Sequence, residues 1–72
     1  MAEDVKAHIT GVVFQITSKA GDVLAAGDPV IVLESMKMEN PILAPVDGTV
    51  SDVRVKADQV VKPGDIIAVI EY

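Results

Sequence analysis

Offset by 37, the chain aligns with itself: residues 7–34 fall on residues 44–71, and ten of the 28 pairs are identical. These are Ala7/Ala44, Gly11/Gly48, Val13/Val50, Lys19/Lys56, Ala20/Ala57, Val23/Val60, Gly27/Gly64, Asp28/Asp65, Val32/Val69 and Glu34/Glu71. Chance at ordinary residue usage gives roughly two or three. Other pairs exchange one aliphatic for another, among them Ile9/Val46, Ile16/Val53, Leu24/Val61, Val30/Ile67 and Leu33/Ile70. A chain of 72 residues forms one domain, so residues 1–72 are read as a single unit. Two copies, each with one apolar face, bury those faces against each other, and a pseudo-two-fold arrangement follows.

Each copy reads as strands and turns. Strands are expected over 3–9, 12–17, 22–25, 29–35, 39–45, 49–55, 59–62 and 66–71. Gly27-Asp28 and Gly64-Asp65 are turn dipeptides before apolar runs. Gly11 and Gly48 stand between strands and are read as turn glycines. Ser18-Lys19-Ala20-Gly21-Asp22 is a loop, and its counterpart Val55-Lys56-Ala57-Asp58-Gln59 lacks the glycine, so that turn is expected to differ. The spacing of Val50, Val53 and Val55 breaks strict alternation and points to a bulge or sharp twist. The repeated Val32 and Val69 are taken as core positions, where an aspartate would bury a charge and unfold the domain. No segment carries the i, i+3, i+4, i+7 pattern of a helix. The expected fold is all-β: a flattened barrel or sandwich of two four-stranded antiparallel sheets.

Composition supports this and narrows the function. Half of the residues are hydrophobic, chiefly Val, Ile, Ala and Leu, and the only aromatics are Phe14 and Tyr72. β-Branched aliphatics in this excess favour strands. A formal net charge of -5 argues against a nucleic-acid partner, which needs a basic surface. No stretch has membrane-spanning length, and Met1–His8 has no basic segment leading into an apolar run. A cytoplasmic domain without a membrane partner is expected. With no cysteine and one histidine, His8, the chain has neither a thiolate nucleophile nor the ligands of a zinc site. It contains no phosphate loop and no nucleophile–base pair, so no catalytic or metal-binding residue is assigned.

The chemistry concentrates where the copies join. Between strands 29–35 and 39–45 stands Glu34-Ser35-Met36-Lys37-Met38-Glu39-Asn40-Pro41. Such close strands require a tight hairpin with Lys37 at or beside the tip. Primed hairpin turns favour Gly or Asn, and neither central residue is one. A positive φ at Met or Lys is locally unfavourable, and a broken local rule at an exposed spot marks a functional position. A solvated ammonium does not acylate itself: another enzyme must activate the donor and take the proton. The chain's part is to present one lysine, flanked by flexible apolar Met36 and Met38 that can mould to a partner. The remaining lysines, Lys6, Lys19, Lys56 and Lys62, are read as ordinary solvated charges.

The run Glu34-Ser35-Met36-Lys37-Met38-Glu39-Asn40, followed by Ala44-Pro45-Val46-Asp47-Gly48-Thr49-Val50, resembles the biotinyl domains of biotin-dependent carboxylases. The likeness covers nearly the whole chain. It implies the barrel-sandwich hybrid fold, and it implies that Lys37 carries covalent biotin attached by a biotin protein ligase, with Glu34, Met36, Met38 and Glu39 recognised by the ligase. It also implies two further partners. A biotin carboxylase loads the ring, and a carboxyltransferase passes the carboxyl group to an acceptor such as acetyl-CoA or propionyl-CoA. The first copy reads Ala7-His8-Ile9-Thr10-Gly11 where the family often has Ala-Pro-x-x-Gly. The related lipoyl domains of 2-oxo acid dehydrogenases typically have Asp before the lysine and a small residue after it, so the two methionines favour biotin. An unmodified lipoyl-like scaffold is the remaining alternative.

Overall fold

The apolar runs between turn residues form eight strands in the computed structural model, which describes all of residues 1–72. They are β1 (Ala2–Lys6), β2 (Gly11–Ile16), β3 (Val23–Leu24), β4 (Pro29–Ser35), β5 (Met38–Leu43), β6 (Gly48–Val53), β7 (Val60–Val61) and β8 (Ile66–Glu71). Every expected strand is present. β1 ends at Lys6 rather than residue 9 because Ala7 turns its backbone to a loop. Its N–H donates to the Asp65 carbonyl at 3.0 Å, and its carbonyl accepts from Gly64 N–H at 2.9 Å. No helix forms, so none is long and apolar enough to cross a membrane.

The strands make two four-stranded sheets, ordered β1-β8-β6-β3 and β5-β4-β2-β7, with antiparallel pairing throughout. Adding 37 to β1, β2, β3 and β4 gives β5, β6, β7 and β8, so the repeat carries one sheet onto the other. Each sheet draws strands from both copies. The loops obey the same rule: Gly27 N–H donates to Ala44 O, and Gly64 N–H to Ala7 O, both at 2.9 Å. Asp28 and Asp65 accept from the backbone N–H of Ala25 and Lys62 through Oδ2.

The expected irregularity in β6 is a register shift between Val50 and Asp52 against β8, and β2 has the matching shift between Val13 and Gln15 against β4. A second matched pair lies between Pro29 and Ile31 and between Val5 and Lys6. There the adjacent Val30 and Ile31 are both buried, as are Ile67 and Ala68. A bulge adds a residue without flipping the face, which a strict period of two cannot accommodate. The register therefore corrects the reading of Val32 and Val69. Both are only half-buried, and Ile31, Leu33, Ala68 and Ile70 fill the 14-residue core instead.

Two further expectations change. The loop at 55–59 does not differ from its counterpart. Asp58 adopts φ 71 where Gly21 has φ 97, a conformation that Asp tolerates better than most residues. Lys56 N–H donates to Gln59 Oε1 at 3.1 Å just as Lys19 N–H donates to Asp22 Oδ2 at 3.0 Å. Gly11 and Gly48 are not turn residues either: they open β2 and β6. A Cβ on Gly11 would sit 2.9 Å from the Glu34 carbonyl oxygen. One on Gly48 would sit 2.6 Å from Ile70 Cγ2 and collide with the Glu71 carbonyl oxygen. Close strand approach, not positive φ, requires these two glycines.

Candidate functional site

β4 and β5 form a hairpin of six paired positions that ends at Ser35↔Met38, leaving Met36 and Lys37 as the whole turn. Their φ values are 54° and 63°. Positive φ at both central residues is what a type I′ turn demands, because its twist matches that of the strands. Only three residues other than glycine in the chain have positive φ, and two of them are here. The hairpin register imposes this on residues that resist it. The ladder below holds the turn through Glu34↔Glu39, Leu33↔Asn40 and Val32↔Pro41, with the Leu33 and Ile42 side chains in the core.

All five lysines of the chain are exposed, so exposure alone does not single out Lys37. Its place on a two-residue turn does, because rigid strands begin on either side. No carboxylate pairs with it: the one ion pair between side chains is Arg54–Asp52 at 3.1 Å. Met36 is 92% exposed and Met38 67%. No cavity adjoins the turn. The one surface depression is lined by Met1, Ala2, Thr49, Glu71 and Tyr72, around the chain termini. The hairpin thus displays its amine with no pocket beside it.

The structure brings Glu34, Met36, Lys37, Met38 and Glu39 together on this hairpin, all exposed. It also sets a register that the sequence left open: Glu34 and Glu39, the carboxylates on either side of the tip, are direct cross-strand partners. Like charges so placed oppose the pairing. Asn40 is a second omission. Its Nδ2 donates to the Met38 carbonyl at 3.2 Å and braces the strand just after the turn. The tendency of Asn to bond nearby backbone was the available signal. His8, expected on the surface of the strand over 3–9, is exposed but lies in the link between β1 and β2.

Comparison with known proteins places these features in context. Residues 1–70 match the family profile described as biotin-requiring enzyme. The biotinylated protein TB7.3 homolog of Mycobacterium leprae is 50% identical over 70 residues, covering 97% of this chain and 99% of that protein. The biotin carboxyl carrier protein of Streptococcus mutans is 38% identical over 64 residues, 89% of this chain but only 49% of its own length. Among solved structures, the urea carboxylase of Kluyveromyces lactis superimposes with a TM-score of 0.94 at 35% identity, over 99% of this chain and 6% of that one.

Proposed function

The chain belongs to the biotin-requiring enzyme family, and from that premise we propose that it is a biotin carboxyl carrier loaded on Lys37. The observation that carries this reading is the Met36-Lys37 turn. Here the fold forces two unsuited residues into positive φ and presents one amine between two exposed thioethers. The chain is a carrier rather than a catalyst. A biotin protein ligase activates biotin, removes the lysine proton and forms the amide. A biotin carboxylase then charges the ring, and a carboxyltransferase unloads it onto an acyl-CoA such as acetyl-CoA or propionyl-CoA. The carrier contributes tethering, which raises the local concentration of the ring at each active site.

Incubation with biotin protein ligase, ATP and biotin tests the assignment by intact mass. A single biotin adduct is expected, absent in Lys37→Arg. A parallel reaction with lipoate ligase is expected to leave the chain unchanged. An adduct that persists in Lys37→Arg, or lipoylation in place of biotinylation, overturns the reading. Carboxylation assays with acetyl-CoA and propionyl-CoA, using the carboxylase subunits that co-purify on avidin, test the acceptor.

A further inference from the structure

We propose that Met36 and Met38 form a reversible oxidation site that controls access of the ligase to Lys37; the proposal rests on the carrier reading above. The chain holds three methionines and no cysteine. Thioethers are its only sulfur, and no thiol competes for an oxidant. Two of the three flank Lys37, and the turn holds both in solvent, 92% and 67% exposed.

The oxidant class is a peroxide. The thioether sulfur attacks one oxygen of hydrogen peroxide, the O–O bond breaks as the S–O bond forms, and the proton on the transferred oxygen passes to the departing hydroxide, which leaves as water. Sulfur is oxidised to the sulfoxide and the peroxide is reduced.

Methionine oxidation usually does damage by placing a polar group in a core. Neither Met36 nor Met38 belongs to the buried cluster, so the change falls on the surface presented to partners and leaves the fold intact. A ligase that moulds apolar contacts around thioethers must then strip water from a strong acceptor it cannot satisfy. A penalty of that kind weakens docking by about tenfold or more. Methionine sulfoxide reductases reverse the modification, and the exposure of both side chains leaves the sulfoxides within their reach.

The test uses the full chain before biotinylation, because biotin has a thioether of its own. A Met1→Leu background confines oxidation to the tip, since Met1 is 88% exposed. Hydrogen peroxide treatment, removal of the peroxide with catalase, and mass spectrometry define a doubly oxidised sample. Its ligase KM is expected to rise at least about tenfold, with kcat less affected and circular dichroism unchanged. Treatment with both reductase classes is expected to restore the starting KM. The Met36→Leu/Met38→Leu chain, referenced to its own untreated rate, is expected not to respond to peroxide.

An unaltered KM in the doubly oxidised chain overturns the proposal. So does a rate loss accompanied by a collapsed circular dichroism spectrum, or one that persists after both oxygens are removed. A chain that takes no biotin before oxidation overturns the carrier reading, and this proposal with it.

Discussion

At the turn, individual residues act against their own preferences. Met36 and Lys37 adopt a backbone that costs a side-chain-bearing residue about 1–2 kcal/mol each, and Glu34 faces Glu39 across the strands. Neutralising one of the two carboxylates relieves the repulsion. Glu34→Gln is expected to raise stability by about 0.2–1 kcal/mol in urea denaturation, more at low salt than at high salt because exposed charges are screened. The same variant is expected to slow biotinylation if the ligase reads the acidic frame, so stability and loading should move in opposite directions. Lys37→Arg keeps both charge and exposure; its unfolding free energy in urea is expected to stay within about 0.5 kcal/mol of the parent. The tip lysine and the unfavourable φ were legible in the sequence because the repeat isolated the joint and neither central residue of that joint is Gly or Asn. That Glu34 and Glu39 stand as two carboxylates beside the tip was legible; that they face each other directly was not, since it depends on register, which a short polar run does not specify.

Strands and bulges follow a different logic. Eight strands could be read because each copy confirmed the weak pattern of the other. Their bulges hid which valines face inward. Val30-Ile31 and Ile67-Ala68 are buried as neighbours, so counting in twos from Val30 or Ile67 turns Val32 and Val69 inward, where the bulge puts Ile31 and Leu33, and Ala68 and Ile70, instead. The glycines that open β2 and β6 yielded to neither propensity nor periodicity, because their requirement comes from a strand distant in sequence. The two sites are graded. The Cβ of Gly48→Ala collides with Glu71 backbone and the Ile70 side chain, whereas Gly11→Ala meets only the Glu34 carbonyl, at 2.9 Å. Gly48→Ala is therefore expected to cost more, about 1–3 kcal/mol, and Gly11→Ala less. Thermal unfolding of the two variants side by side checks the order.

For the molecule as a whole, the two sheets share strands from both halves, so neither half has a sheet of its own. Residues 1–36 and 37–72 prepared separately are expected to give coil spectra. The offset of 37 pairs Ser35 with Tyr72 and Met38 with Met1. The chain ends copy the hairpin: Met1 N donates to Tyr72 O at 2.8 Å, and Tyr72 N–H to Met1 O at 2.9 Å. A permutant that joins Tyr72 to Met1 through Asn-Gly and opens between Met36 and Lys37 is expected to fold to the same β spectrum and unfold in one transition. A coil spectrum would show that the covalent turn between the copies is indispensable. The symmetry thus provides two equivalent rungs, Ser35–Met38 and Tyr72–Met1, and only the first is closed by a turn that offers a lysine. On the proposed carrier reading a stoichiometry follows: this domain offers one such lysine, so a half-charged population is expected to be a mixture of full and empty domains, with no partly filled one among them.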